Sequence, residues 1–185
     1  MDRRSNNIAI FQDSMDMIKA SQKLQQAVQL SIQNQKLYVP SQAIALPESG
    51  KSPCKTIVSS KRSFEAASAY AKSGKRVCVL NFASATNPGG GVTRGSTAQE
   101  ECLCRCSTLY PCLDTETMWH QFYQQHRKTG DPLYNDDLLY TPGVVIFKTD
   151  TSVPERMEEK DWYQVDIITC AAPNLRKKPS NAMNP

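Results

Sequence analysis

The sequence lacks long apolar runs and carries little excess charge, and each absence excludes a class of protein. No stretch approaches the roughly 18 apolar residues of a transmembrane helix, so we expect no membrane partner. The polar residues 1–7 run into no apolar segment, so no signal peptide is predicted. The net charge of +4 suits an anionic ligand but is far below that of a nucleic-acid-binding surface. These absences favour a cytoplasmic chain, or a nuclear one in a eukaryote.

The length and composition predict one globular domain. The 185 residues are enough to bury a sizeable core. The contents of 39% hydrophobic and 22% charged residues are ordinary for a soluble domain. The seven cysteines are an odd number without a secretory signal, which favours free thiols in a reducing compartment.

Three cysteines stand at 102, 104 and 106, and their spacing admits two interpretations. Zinc sites usually combine one closely spaced pair with a second pair or with a histidine pair. No second pair is present here, because His120 and His126 do not pair at helical spacing. Small buried helix residues are therefore favoured, with Cys102 and Cys106 on one face and Cys104 pointing away. We expect no metal and no cofactor.

Helical periodicity and short β-rich runs alternate along the chain, which predicts an α/β fold. Ser63 is the expected cap of one helix, and Gly74 is its expected terminator. The predicted elements are a helix-rich region 8–38, loops over 39–61, a helix over 63–73, a buried strand over 76–82, helices over 98–109 and 115–128, a loop-rich segment 131–143, strands over 144–149 and 165–171, and an unstructured tail from 173. Because ligands of open α/β sheets lie beyond the carboxyl ends of strands, the loop 81–97 is the expected site.

That loop contains Gly89, Gly90 and Gly91, here called the glycine triplet. Glycine reaches positive φ and has no Cβ to keep a ligand away, so successive N–H groups can converge on an anion. The amino terminus of the next helix adds its own N–H groups and dipole, and together these suit a pyrophosphate. A flexible surface turn is the alternative, and for the triplet alone it is the better interpretation.

Gln99, Glu100 and Glu101 open that helix, and they too have two interpretations. Acidic residues in a first turn commonly do no more than complement the helix dipole. Neighbouring residues point about 100° apart, so only one of the two carboxylates is expected to face the loop squarely. Two carboxylates beside each other and near phosphates repel, which raises a pKa and suits the protonation of a glycosidic oxygen.

The compound pattern is more specific than either part. The glycine triplet, a gap of seven residues and the Gln-Glu-Glu run resemble the signature of the poly(ADP-ribose) glycohydrolases. The chain is similar to the bacterial-type branch in particular, over nearly its whole length from Ile8 to Pro185. The matching segments are 80–91 (LNFASATNPGGG), 98–101 (AQEE), Ser107-x-x-Tyr110 and 169–174 (TCAAPN).

This resemblance implies one macrodomain-like domain over residues 1–185, a three-layer α/β/α sandwich with a mixed sheet. Residues from about 1 to 60 would be a helical accessory region, and those from about 61 to 185 the nucleotide-binding and catalytic segment. The implied activity is hydrolysis of the ribose–ribose O-glycosidic bonds of poly(ADP-ribose), which releases ADP-ribose. The implied partners are poly(ADP-ribose) or ADP-ribose, and ADP-ribosylated proteins.

The resemblance also assigns roles within the site. Glu101 would be the catalytic acid, and Glu100 would bind ribose hydroxyls and orient the sugar. The glycine triplet would hold the diphosphate and the distal ribose. The other implied substrate-binding residues are Asn81, Asn87, Val92 and Gln99, of which Asn87 contacts the distal ribose and Gln99 supports the glutamate pair.

One departure from the family pattern concerns the carboxyl-terminal part. Members of this type carry a second glycine-rich phosphate loop there, whereas the last glycine of this chain is Gly143. We therefore expect a C-terminally incomplete domain. The nearly continuous apolar runs 144–149 and 165–171 are typical of strands that a complete domain buries on both faces, so that without the missing cover a sheet edge and one sheet face are left open. An ADP-ribose-binding module or inactive fragment without turnover is the alternative, as is removal of ADP-ribose from protein or nucleic acid.

Overall fold

A computed structural model describes residues 2–42 and 54–173, so the predictions for 43–53 and for the tail after 173 lie outside the described residues. The helices are α1 (Arg3–Ala20), α2 (Gln22–Gln33), α3 (Ser63–Ala71), α4 (Gln99–Cys106), α5 (Leu109–Leu113), α6 (Glu116–Met118) and α7 (Gln124–Thr129), with a π-helical turn at Trp119–Tyr123 and 3-10 turns at Val92–Arg94 and Glu159–Asp161. The strands are β1 (Lys36–Tyr38), β2 (Cys78–Ala83), β3 (Leu138–Ile146) and β4 (Tyr163–Ala171). Among the described helices, none combines the length and apolar composition needed to cross a membrane.

The strands form one mixed sheet in the order β1-β3-β4-β2. β3 pairs antiparallel with both β1 and β4, whereas β2 and β4 run parallel with Ala83 opposite Ala171. The carboxyl ends of β2 and β4 therefore meet at the same edge of the sheet. This is where the sequence predicted the site.

The hydrophobic core lies on one face of the sheet. Alternate residues of β2 and β4 point into it, among them Val79 and Ile167, and helices α1, α3, α4 and α5 cover them. α2 lies along β3 and forms a smaller cluster with Val145 and Phe147. These helices supply the covered side of the predicted sandwich.

On the opposite face, β2 and β4 are open among the described residues, whereas Val145 of β3 is covered by α2. Leu80 and Phe82 of β2 are 46% and 58% exposed, and on β4 burial alternates with partial exposure. Residues 165–171 are therefore buried on one face only in the described part, whereas residues 144–148 are all buried. The expected uncovered face is present, and β2 is also an edge strand of the described sheet.

Three of the differences from the predicted elements have identifiable structural causes. β3 begins at Leu138 rather than at 144, because a register shift between Thr141 and Val144 accommodates Pro142 and Gly143 within the strand. Gly143 takes a φ of 67° there, and its N–H donates to Asp166 Oδ1 at 3.1 Å. Proline and glycine thus mark a bulge here instead of a loop.

The other two boundaries are helix ends. The helix predicted over 98–109 is divided, because the Thr108 N–H leaves the helix and donates to the Val145 carbonyl of β3 at 3.0 Å. Ser63 is the first residue of α3 rather than its cap, since Asp150 Oδ2 accepts the Phe64 N–H at 3.0 Å. Both exceptions depend on residues far away in the chain.

Candidate active site

A cleft of about 280 Å³ opens at the shared carboxyl edge of β2 and β4. The glycine triplet and the amino terminus of α4 face each other across it. The N-cap residue Ala98 provides no side-chain hydrogen bond to the first turn of α4. The cleft is lined by Phe82, Ala83, Ser84, Gly90, Ala98, Glu100, Glu101, Ala172 and Pro173.

The backbone conformation and close packing of the triplet require glycine. Gly89 and Gly90 have φ values of 62° and 61°, in the left-handed region that favours glycine. A Cβ on Gly90 would lie 2.6 Å from Glu101 Oε1 and 3.0 Å from Glu100 Oε2. The triplet therefore permits a backbone approach to both carboxylates that any other residue would block.

Glu101 faces the triplet with one bonded and one free oxygen. Its Oε1 accepts the Gly91 N–H at 2.8 Å, and its side chain is buried, with 6% of the residue exposed. Its Oε2 has no hydrogen-bond partner among the described residues. The predicted catalytic acid thus has one buried oxygen that bonds no described group.

Glu100 lies on the other side of Gly90 and is more fully bonded. Its Oε2 accepts the Ser84 N–H at 2.8 Å, and its Oε1 accepts Asn81 Nδ2 at 3.4 Å. Burial raises the pKa of Glu100 to about 7, and the neighbouring Glu101 charge adds to this rise. The expectation that only one carboxylate reaches the loop is wrong, because the first bonds the loop at Ser84 and the second at Gly91.

Gln99 anchors α4 to the free edge of β2. Its Oε1 accepts the Phe82 N–H at 3.0 Å, and its Nε2 donates to the Leu80 carbonyl at 2.8 Å and to Ser63 Oγ at 3.1 Å. The amide thus bonds backbone groups that an adjacent strand would otherwise pair with. This contact ties the helix that carries both glutamates to β2.

The other predicted residues occupy different depths. Asn81 is fully buried beneath Glu100, where its Nδ2 also donates to Thr169 Oγ1 at 3.2 Å. Asn87 lies at the rim, and its Oδ1 accepts from Arg127 Nη2 at 2.7 Å. The Val92 side chain is in the core, and its N–H donates to the Gly89 carbonyl at 3.1 Å. Val92 therefore supports the triplet from behind and presents no side chain to the cleft.

The first helix supports the loop that follows the triplet, a role that the sequence did not reveal. Asn7 is buried on α1, and its Nδ2 donates to the Gly95 carbonyl at 3.1 Å. Arg4 Nε donates to the Arg94 carbonyl at 2.6 Å. Both are polar residues outside the apolar stripe, so hydrophobic periodicity gave no signal for them. The region predicted as accessory therefore contacts the site directly.

The cysteines of α4 lie behind the site. Cys104 and Cys106 are buried, burial raises the pKa of both thiols, and Cys102 is half-buried. In the described ranges, no three histidine, cysteine, aspartate or glutamate side chains are arranged to hold a metal ion. Cys104 packs close to Gly89, with Sγ 3.2 Å from the position of a Cβ there.

Known proteins resemble this chain in both sequence and fold. The family described as "Microbial-type PARG, catalytic domain" matches residues 9–149. The structure of poly(ADP-ribose) glycohydrolase (PARG) from Thermomonospora curvata has a TM-score of 0.78 and 31% identity, covering 92% of this chain. The enzyme from Deinococcus radiodurans in complex with ADP-ribose has a TM-score of 0.67 and 33% identity, covering 79%. These structures confirm the predicted macrodomain-like α/β fold with a mixed sheet.

The likeness covers only part of the matched proteins. The chain spans 65% of the Thermomonospora curvata structure and 58% of the Deinococcus radiodurans structure. Another structure of the Thermomonospora curvata enzyme, bound to the inhibitor ADP-HPD, has a TM-score of 0.69 and 30% identity, and covers 92% of this chain and 64% of that one. The search of curated proteins finds no match.

Proposed function

The chain belongs to the microbial-type PARG catalytic-domain family, and we propose that it hydrolyses the ribose–ribose O-glycosidic bonds of poly(ADP-ribose) and releases ADP-ribose. One observation carries this proposal. The glycine triplet brings two buried carboxylates to one cleft, and Glu101 Oε2 is left there without a hydrogen-bond partner among the described residues. A general acid needs such an oxygen within reach of the leaving group.

The diphosphate of the terminal unit lies by the uncapped first turn of α4. The helix dipole and the free N–H groups of that turn favour an anion, and Gly90 adds no side chain that would exclude it. This places the distal ribose over the two glutamates and beside Asn87. The net charge of +4 also favours an anionic polymer.

In the reacting form Glu101 carries a proton on Oε2 and donates it to the oxygen of the leaving ribose hydroxyl as the glycosidic bond breaks. The oxocarbenium-like sugar is then attacked by a water molecule, from which the Glu101 carboxylate removes a proton, so that Glu101 ends the cycle protonated. Glu100 orients the sugar. Because burial raises its pKa to about 7, Glu100 can hold a proton near neutral pH and so donate as well as accept hydrogen bonds, which suits ribose hydroxyls.

The test is release of ADP-ribose from poly(ADP-ribose) by the wild type and by Glu101→Gln. The glutamine keeps the shape and the hydrogen bond from Gly91 but has no acidic proton, so we expect a rate loss of at least ~10²-fold. Glu155→Gln is the matched control, because Glu155 is exposed and its carboxylate has no hydrogen bond within the described part of the chain. Cleavage by Glu101→Gln at the wild-type rate contradicts the assignment.

An ADP-ribose-binding module is the second candidate, because the similar Deinococcus radiodurans protein was crystallised in complex with ADP-ribose. Calorimetry with ADP-ribose, together with the release assay on poly(ADP-ribose), separates the two functions. Binding without turnover by the wild type supports the module, and turnover supports the hydrolase.

A further inference from the structure

Arg127 of α7 forms hydrogen bonds with the segment just before the glycine triplet. Arg127 Nε donates to the Thr86 carbonyl at 2.7 Å, and Arg127 Nη2 donates to Asn87 Oδ1 at 2.7 Å. The two bonds come from adjacent nitrogens of one planar guanidinium group, which fixes geometry better than a single bond does. They hold both the backbone of this segment and the orientation of the Asn87 amide.

Arg127 is itself fixed by an aromatic ring. Its Cζ lies 4.8 Å from the centroid of Trp119, a cation–π contact. Trp119 Nε1 in turn donates to Asp114 Oδ1 at 2.8 Å. The guanidinium is therefore held against the loop by a stacked ring whose own position is fixed.

The π-helical turn at Trp119–Tyr123 makes this stacking possible. A π-turn takes up one extra residue, and here Gln124 N–H donates to the Trp119 carbonyl five residues before it. Trp119 and Arg127, eight residues apart, are thus placed like residues seven apart in an α-helix, on the same face. In an uninterrupted α-helix the two side chains would lie about 80° apart.

A shift of Asn87 would pass directly to the catalytic carboxylates. The Asn87 carbonyl accepts the Gly90 N–H at 3.0 Å, and Gly90 lies between Glu100 and Glu101. The Asn87 N–H also donates to Ser84 Oγ at 3.2 Å, and Ser84 bonds Glu100 through its own N–H. Asn87 thus links Arg127 to both sides of the site.

We propose that Arg127 is a positioning residue for the reaction, which acts through Asn87 by setting its amide and the start of the glycine triplet. Arg127 itself touches neither the sugar nor the reacting atoms. The proposal rests on the proposed function, because Asn87 is taken to contact the distal ribose. In this proposal the π-turn is the element that places Arg127 on the same helix face as Trp119.

The first measurement needs no substrate. Amide hydrogen exchange of residues 84–91 is compared in the wild type, Arg127→Ala and Arg127→Lys. We expect exchange to rise at least ~10-fold in the alanine variant and less in the lysine variant, which keeps the charge but not the paired geometry. Lys128→Ala is the control, because this exposed neighbour loses the same charge and makes no hydrogen bond or ion pair with the described residues. Unchanged exchange in Arg127→Ala overturns the proposal.

The second measurement is a double-mutant cycle on kcat and KM for poly(ADP-ribose). We expect Arg127→Ala and Asn87→Ala each to lower kcat/KM by roughly 10-fold to 100-fold. If Arg127 acts through Asn87, the kcat/KM of the double variant is at most ~2-fold lower than that of Asn87→Ala alone. The reason is that the effects of two coupled substitutions do not add. Losses that multiply overturn the proposal, even if the exchange result agrees.

A failure of the proposed function is distinguishable from a failure of this inference. If the wild type binds ADP-ribose without turnover, the same cycle is measured on its dissociation constant, with the same criterion. If the wild type neither cleaves nor binds, the positioning role falls with the proposed function, and exchange then reports only on the loop.

Discussion

The buried Glu100 predicts a specific pH dependence of stability. Its pKa rises from the usual 4.5 to about 7 in the folded chain, mainly because of burial. The folded state therefore holds this proton more tightly than the unfolded state does. The resulting stabilisation is fully present below about pH 4.5 and is lost as the pH rises through 7. A difference of about 2.5 between the two pKa values corresponds to a loss of roughly 3 kcal/mol.

The substitution Glu100→Gln removes this loss of stability at high pH. Glutamine accepts the Ser84 N–H through its oxygen, and it carries no charge that must be buried at high pH. We expect the free energy of unfolding of the variant, relative to the wild type, to increase by about 3 kcal/mol between pH 4.5 and pH 8. Urea unfolding at several pH values measures this difference, and other titrating groups cancel between the two chains.

Glu155→Gln serves again as the control, and its difference from the wild type is expected to stay constant with pH. The reasoning is refuted if the wild-type and Glu100→Gln stabilities run parallel across this range. It is also refuted if the variant loses stability relative to the wild type as the pH rises. In either case the carboxyl group is not held in the buried, proton-retaining position described above.

Two further predictions concern the glycine triplet and the open sheet face. Gly90→Ala should cost roughly 1–3 kcal/mol in urea unfolding, because alanine is strained at a φ of 61° and its Cβ meets Glu101 Oε1; an unchanged midpoint would contradict this. The wild type should bind a dye that reports exposed apolar surface, and Phe82→Ser should weaken its fluorescence, since Phe82 is 58% exposed on the open face. Equal fluorescence of the two chains would mean that this face is covered in solution.

The α/β class and most elements could be predicted because local patterns determine them. The β-rich run before the glycine triplet gave β2, and the Gln-Glu-Glu run after it opens α4 as expected. The π-turn at Trp119–Tyr123 could not be predicted, since a single extra residue leaves no mark on the apolar pattern. The bulge in β3 could not be predicted either, because Pro142 and Gly143 usually indicate a loop.

The residues that line the candidate site lie close together in the sequence, whereas the residues that support it do not. The positions of Glu100 and Glu101 near the triplet were expected from their spacing. The contacts of Asn7 with Gly95 and of Arg127 with Asn87 join residues 88 and 40 positions apart. Such polar contacts have no periodicity, and each depends on the finished packing of helices against the loop.

Backbone NMR of the chain titrated with ADP-ribose tests the central claim most directly, that the ligand binds between the glycine triplet and the first turn of α4. We predict the largest amide shift changes at Ser84, in the triplet and over residues 99–101, saturating with the ligand. Lys128 and Glu155 should not respond. Saturable shifts confined to another surface, or no shifts at millimolar ADP-ribose, would contradict the account.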